Sequence, residues 1–192
     1  MKKTFLKNKK NIQFLIIGLG LIGGSIAKRL SKKGFEVLAI DKNKSHLKYA
    51  KNSKIIVGSL EKTDCEKKLF VIIALPPKVL LSNFDRYLDF FHKAEFITDC
   101  TSVKGSLLNK IRKNKLESKF ILSHPIAGSE KSGFLNSNED LFIDKISIIS
   151  KHKGLAISTL QKCKEIWFEL GSKTHNLDPK LHDKIFSLTS HL

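Results

Sequence analysis

The stretch IQFLIIGLGLIGGS, residues 12–25, decides the fold of this 192-residue chain. Its first half is a continuous apolar run of strand length, which is typical of a strand buried on both faces of a parallel sheet. Its second half places Gly18, Gly20 and Gly23 in the spacing GxGxxG, between that strand and a helix predicted over 21–33. These glycines permit a tight turn, a close approach of the backbone to a pyrophosphate, and close packing of helix on strand.

An acidic residue after the second predicted strand, 35–40, indicates which dinucleotide this turn holds. The N-terminus of the first helix offers free N–H groups and the positive end of its dipole to phosphates. Asp41 stands where the motif places a carboxylate that accepts hydrogen bonds from ribose hydroxyls. Because a carboxylate repels a 2′-phosphate, the sequence predicts NAD rather than NADP. The predicted cofactor contacts here are Gly18, Gly20, Leu21, Ile22, Gly23 and Asp41.

Apolar runs of strand length alternate with helical patterns along the rest of the chain. Further strands are predicted at 54–57, 69–75, 96–98, 120–122 and 145–149, and further helices at 44–51, 78–91, 104–115, 155–170 and 180–192. This alternation predicts an α/β fold with a doubly wound, parallel, Rossmann-like sheet. We expect residues 1–176 to form a dinucleotide-binding domain and residues 177–192 to begin a helical domain that is incomplete here.

Composition argues against several classes of function. The net charge is +17, but nearly all of the basic residues are scattered lysines, with arginine only at Arg29, Arg86 and Arg112, so we do not expect a nucleic-acid binder. The histidines lack the spacing of a zinc site, and we predict no metal. The basic N-terminus and the apolar run after it are similar to a secretory signal, yet glycines interrupt that run, so we expect a cytoplasmic protein that does not engage membranes.

Three predicted strands end in segments that are candidates for a ligand site, because open α/β sheets bind ligands at the carboxyl ends of their strands. Leu75, Pro76 and Pro77 end one strand and are predicted to lie against the adenosine or nicotinamide side of the cleft. The polar segments TDCTSVKG, 98–105, and SHPIAGSEKSG, 123–133, follow the next two. Thr101, in the first of these, is a further predicted cofactor contact.

The combined motifs GLGLIGGS at 18–25, TDCTSVKG at 98–105, HPIAGSE at 124–130 and SHL at 190–192 resemble the prephenate dehydrogenase family. The resemblance runs in order from about residue 12 to the last residue. It implies an NAD-dependent oxidative decarboxylation of prephenate, or of its amino analogue arogenate, in tyrosine biosynthesis.

The same resemblance implies roles for individual residues. His124 is the expected catalytic group that binds the substrate hydroxyl and polarises or deprotonates it, as suits an imidazole. Ser102 is expected to orient the hydroxyl and His124, and the alternative is that it only caps the following helix. The residues expected to bind substrate are Ser129, Glu130, His182 and His191.

The chain also departs from the family pattern. Family members continue past the SHL segment into a helical domain that forms a homodimer and supplies an arginine for the substrate carboxylate. None of the three arginines lies in a segment matching that role, so we expect NAD binding with poor turnover. We also expect the last helix to expose apolar residues such as Leu181, Ile185 and Phe186. Two alternatives stay open: a dehydrogenase of another small acid, of the β-hydroxyacid type, and a non-catalytic NAD-binding module.

Overall fold

The computed structural model describes residues 5–59, 63–128 and 131–189 of the chain. Strands and helices alternate as the sequence predicts. The strands are β1 (Ile12–Ile17), β2 (Glu36–Ile40), β3 (Lys68–Ile73), β4 (Phe96–Asp99), β5 (Phe120–Ile126), β6 (Ile146–Ser150) and β7 (Lys173–Asn176). The helices are α1 (Leu21–Lys32), α2 (Lys44–Asn52), α3 (Pro77–Asn83), α4 (Leu88–Lys93), α5 (Gly105–Lys113), α6 (Ile157–Glu169) and α7 (Pro179–Thr189).

The described strands form one sheet in the order β2-β1-β3-β4-β5-β6-β7. Strands β1 to β5 pair in parallel, which brings their carboxyl ends to one edge of the sheet. Strand β6 pairs antiparallel with β5, and β7 pairs parallel with β6, so the last two strands run in the opposite direction. The predicted α/β, doubly wound, Rossmann-like fold is therefore confirmed, with a mixed rather than wholly parallel sheet.

Strand β1 lies between two apolar layers, one on each face of the sheet, and this explains its continuous hydrophobic run. Phe14 and Ile16 point into the layer on one face of the sheet, whereas Leu15 and Ile17 point into the layer on the other. All four side chains are fully buried. Burial of each such side chain contributes roughly 1.5–3 kcal/mol, so this strand anchors both faces of the domain and holds the glycine turn at its end.

Two predicted elements differ from the structure, and one strand of the structure was not predicted. The strand predicted at 54–57 is wrong: Lys54 adopts a left-handed φ of +56°, and only Gly58 forms an isolated parallel bridge, to Leu38. The helix predicted at 78–91 is broken into α3, a 3-10 turn over Phe84–Tyr87, and α4. Strand β7 is absent from the predictions, because its sequence KTHN is polar throughout.

Helix α7 packs against α5 near the carboxyl ends of β4 and β5. The last helix does expose Leu181 and Ile185, which are 46% and 39% exposed, whereas Phe186 is half-buried. The domain boundary at residue 176 stays a prediction. Among the described residues, no helix combines the length and the apolar character needed to cross a membrane.

Candidate active site

The glycine turn between β1 and α1 has the geometry that its spacing predicts. Gly18 adopts φ +99°, and a Cβ there would lie 2.6 Å from the carbonyl oxygen of Ala74. A Cβ on Gly23 would lie 1.8 Å from the carbonyl oxygen of Gly18, so α1 can approach the turn only because this residue has no side chain. At Gly20, the N-cap of α1, a Cβ would meet no atom within 4 Å. The turn is thus tightly packed at Gly18 and Gly23, and it leaves open space at Gly20, where α1 begins.

Asp41 is held at this turn by backbone amides. Its Oδ2 accepts a hydrogen bond from the Leu19 amide at 2.5 Å, and its Oδ1 accepts one from the Asn43 amide at 2.7 Å. The carboxylate is half-exposed. It therefore presents a fixed negative charge beside the open end of the glycine turn, which is where the motif places a ribose-binding acid.

A cleft of about 340 Å³ lies along the carboxyl ends of the strands. The predicted residues Gly20, Leu21, Ile22, Leu75 and Pro76 line it, together with Ala74, Cys100 and residues 131–133. Cys100 and residues 131–133 belong to the two candidate segments but were not predicted as individual contacts, and Ala74 was not predicted. The helix N-terminus, a mostly apolar wall and one lysine, Lys131, suit an anionic ligand that carries flat rings. The glycine turn, the open position at Gly20 and Asp41 together fit a dinucleotide.

Below the strand ends, Lys104 and Asp99 form an ion pair that is fully buried. Lys104 Nζ donates hydrogen bonds to Asp99 Oδ2 and to the Ser123 carbonyl oxygen, each at 2.6 Å. Asp99 also accepts from the Thr101 amide and hydroxyl and from the Ser123 amide. These partners belong to β4, β5 and the loop between β4 and α5. The buried pair therefore holds the ends of the two strands and this loop together beneath the site.

His124 lies within β5, whereas the sequence predicted that this strand ends at residue 122. Antiparallel pairing with β6, with Ile148 opposite His124, extends the strand to Ile126. His124 Nδ1 lies 3.0 Å from His182 Nε2, and Phe186 packs edge-on against the His124 ring at 4.8 Å between centroids. Burial, and then the positive charge of Lys104, lower the pKa of His124 to about 3. The imidazole is therefore neutral near pH 7, and one ring nitrogen has a lone pair that can accept a hydrogen bond.

His182 is predicted to bind substrate, but its side chain is fully buried. Its ring bonds His124 on one side and Asp183 on the other, the latter at 3.0 Å from Nδ1. Because both ring nitrogens are engaged and no surface is exposed, this placement suits support of His124 better than direct substrate contact.

The other predicted site residues are placed as follows. Ser102 is exposed on the loop before α5, and within the described chain its side chain makes no hydrogen bond. It does not cap α5: the N-cap is Lys104, and the Asp183 carboxylate accepts from the Lys104 and Gly105 amides instead. Thr101 is buried, with its hydroxyl bonded to Asp99. Pro77 begins α3. Ser129, Glu130 and His191 lie outside the described residues.

Two other types of chemistry find no support in the described part of the chain. Cys100 lines the cleft, but burial and the charge of Asp99 raise the pKa of its thiol far above its usual value, so a reactive thiolate is disfavoured. No group of three or more histidine, cysteine, aspartate or glutamate residues there is arranged to hold a metal ion.

Comparison with known proteins places these features in a family. The family model described as prephenate dehydrogenase, nucleotide-binding domain, matches residues 26–176. A prephenate dehydrogenase of Lactococcus lactis is 33% identical over 187 residues, which cover 93% of this chain and 50% of the relative. A cyclohexadienyl dehydrogenase of Zymomonas mobilis is 25% identical over 92% of this chain and 62% of its own length.

A solved structure agrees with these relatives. The crystal structure of prephenate dehydrogenase from Aquifex aeolicus, in complex with hydroxyphenyl propionate and NAD+, superposes with a TM-score of 0.80 at 29% identity. The match covers 94% of this chain and 64% of that one. The chain thus spans half the length of the Lactococcus protein and less than two thirds of the other two.

Proposed function

The chain belongs to the prephenate dehydrogenase family, and we propose that it binds NAD and carries out the oxidative decarboxylation of prephenate to 4-hydroxyphenylpyruvate. The observation that carries this proposal is the placement of His124. A neutral imidazole is held on β5, and the neighbouring strand β4 leads directly into Cys100 at the wall of the cofactor cleft. A proton acceptor beside a dinucleotide cleft is what a hydroxyl-oxidising dehydrogenase requires.

The cofactor proposal rests on the glycine turn and Asp41. Backbone amides at the start of α1 can bind the pyrophosphate, since no side chain occupies the space above Gly20. The Asp41 carboxylate can accept hydrogen bonds from the ribose hydroxyls and would repel a 2′-phosphate. Leu75 and Pro76 supply the apolar wall for a ring.

Calorimetric titration with NAD and with NADP tests this proposal. We expect the chain to bind NAD more tightly than NADP. Asp41→Ser should narrow the difference between the two affinities, because it weakens the binding of NAD and removes the repulsion of the 2′-phosphate of NADP. Asp85→Ser, at an exposed carboxylate near α3, is the matched control and should leave both affinities unchanged. Equal affinities for both dinucleotides in the wild-type chain would contradict the assignment to Asp41.

In the proposed reaction, His124 handles the proton of the substrate hydroxyl. When bound, NAD supplies the acceptor for the hydride of the carbinol carbon. His124 Nε2 accepts the hydroxyl proton as the carbonyl forms. When the ring carboxylate leaves as CO₂, its bonding electrons enter the ring and produce a phenolate oxygen, and His124 returns the proton to that oxygen. One hydride is lost overall with no net proton, so the residue ends the cycle neutral.

Ser102 is the proposed aid in orienting that hydroxyl, because it is exposed and its hydroxyl is not used by the described part of the chain. Ser129, Glu130 and His191 stay predicted substrate contacts. We further propose a homodimer where the helical domain of the family is complete, as the family resemblance implies. Analytical ultracentrifugation of a chain that carries this domain should then show a species of twice its mass.

A substrate panel tests the reaction and separates the alternatives. The protein is mixed with NAD and with prephenate, arogenate or a 3-hydroxy acid, and NADH is followed by its absorbance. NADH formed together with CO₂ from prephenate or arogenate supports the proposal, and the faster substrate identifies the preference. NADH from the 3-hydroxy acid alone would favour a β-hydroxyacid dehydrogenase. NAD binding with no turnover of any compound, even when a complementing helical domain is added, would favour a binding module.

A further inference from the structure

A line of hydrogen bonds connects His124 to the start of another helix. His124 Nδ1 lies 3.0 Å from His182 Nε2, and His182 Nδ1 lies 3.0 Å from Asp183 Oδ1. Asp183 in turn accepts the Lys104 amide on Oδ1 at 2.8 Å and the Gly105 amide on Oδ2 at 2.7 Å. The line therefore runs from β5 through α7 to the N-terminus of α5.

The protons along this line can be assigned from its anchored end. Burial alone would raise the pKa of Asp183, but hydrogen bonds from the Gly105 amide, His182 and the Lys104 amide lower it, so the group is a carboxylate. A carboxylate only accepts, and His182 Nδ1 must therefore carry the proton that it donates. Burial lowers the pKa of His182 despite the opposing effect of Asp183, so this ring is neutral and its Nε2 is a bare acceptor.

The position of the proton on His124 follows from this bare acceptor. Because His182 Nε2 carries no proton, the contact at 3.0 Å is a hydrogen bond only if His124 Nδ1 donates. His124 is also neutral. Its single proton is consequently on Nδ1, and its Nε2 presents a lone pair.

We infer that His182 and Asp183 are positioning residues that fix the tautomer of His124, so that Nε2 is the proton acceptor. The use of this lone pair for the substrate hydroxyl rests on the proposed function. The tautomer itself is a property of the folded chain and can be measured without turnover.

Packing keeps the line in place. Phe186, one turn after His182 on α7, lies 4.6 Å from the His182 ring and 4.8 Å from the His124 ring, between centroids. The two amides at the start of α5 hold both oxygens of Asp183, so the carboxylate cannot rotate without losing a bond. The charged groups that face the two rings are Lys104, Asp99 and Asp183. The rings can therefore neither turn freely nor exchange partners.

Nitrogen NMR of the 192-residue chain labelled at histidine tests the inference. The two ring nitrogens of His124 are identified by their loss in His124→Asn, and their shifts are read near neutral pH. We expect a protonated Nδ1 and an unprotonated Nε2 on His124, and the same pattern on His182. A His124 ring protonated on Nε2 would overturn the inference, whatever the protein does with prephenate.

Substitutions at His182 provide a graded test. His182→Leu removes the acceptor, and we expect His124 to shift to a mixture that contains the Nε2–H form. His182→Gln can place its amide oxygen near the position of Nε2, and we expect it to restore the Nδ1–H form. His175→Leu makes the same change at an exposed histidine of β7 and should leave the His124 signals unchanged. Retention of the wild-type tautomer in a folded His182→Leu chain would contradict the inference.

Kinetics separates this inference from the proposed function. With prephenate, His182→Leu should lower kcat with little change in KM, and His182→Gln should recover most of the loss. If the NMR result is as expected and prephenate is not oxidised, the positioning inference stands while the proposed function fails. If prephenate is oxidised and kcat is insensitive to the tautomer, the positioning role is refuted.

Discussion

Removal of the positive charge of Lys104 should strongly destabilise the fold. Lys104 and Asp99 are both fully buried, with 2.6 Å between Nζ and Oδ2, and Lys104 Nζ also donates to the Ser123 carbonyl oxygen. Lys104→Met keeps a side chain of similar length but leaves the Asp99 carboxylate buried without its cation. Breaking a buried pair from one side costs about 3–5 kcal/mol. Urea unfolding should therefore show a large fall in midpoint with an unchanged slope.

An exposed ion pair supplies the control for this prediction. Lys110 Nζ lies 3.3 Å from Asp85 Oδ2, and these side chains are 32% and 70% exposed. Lys110→Met should cost less than about 1 kcal/mol. The double variant Asp99→Leu/Lys104→Met should be more stable than Lys104→Met alone, because no unpaired charge stays buried. If Lys104→Met lowers the free energy of unfolding by no more than about 1 kcal/mol, as an exposed pair would, the large contribution assigned to the buried pair is excluded.

Three further changes test the glycine turn and the buried imidazole. Gly23→Ala should destabilise the chain by about 1–3 kcal/mol, because its Cβ would overlap the Gly18 carbonyl oxygen, and a wild-type melting temperature would contradict this. Gly20→Ala should leave the melting temperature unchanged but weaken NAD binding measured by calorimetry, since its Cβ enters the open space above the turn. The pKa of His124 is about 3 when folded and 6.5 in its ordinary state, so the unfolded chain binds this proton first as pH falls. The contribution of His124 to the free energy of unfolding is fully present above pH 6.5 and is lost on acidification towards about pH 3. Between these values the free energy of unfolding should fall by up to about 1.4 kcal/mol per pH unit. His124→Asn should flatten that slope in urea unfolding between these values, whereas His175→Asn should not.

The parts of the fold that the sequence predicted well are those with a strong local pattern. Strand β1 begins and ends as its apolar run predicts, because both of its faces are buried. The antiparallel direction of β6 could not be read from composition, since a buried strand has the same apolar pattern in either direction. Strand β7 was missed because its side chains are polar and its position depends on backbone pairing with β6.

In the site, the missed residues act over long sequence distances. Asp183 binds amides 78 and 79 residues away, and nothing around it marks this contact. The sequence marks Lys104 only as part of a polar segment and as the start of a helix, because lysine is almost never fully buried unless paired. Its partner Asp99 lies only five residues earlier. The ion pair could not be predicted from this spacing, because it depends on the loop geometry that brings both groups under the strand ends. Local motifs located the cofactor turn, while tertiary contacts determined how His124 is held.

In the proposed reaction, His124 takes and returns the proton of the substrate hydroxyl. The most direct test compares the rate of NADH formation from prephenate by the wild-type protein and by His124→Asn, with NAD affinity measured for both. Loss of general acid–base catalysis should lower kcat by roughly 100- to 10,000-fold, while NAD binding stays unchanged because His124 is not among the residues that line the cofactor cleft. A His124→Asn protein that oxidises prephenate with the wild-type kcat would contradict the account.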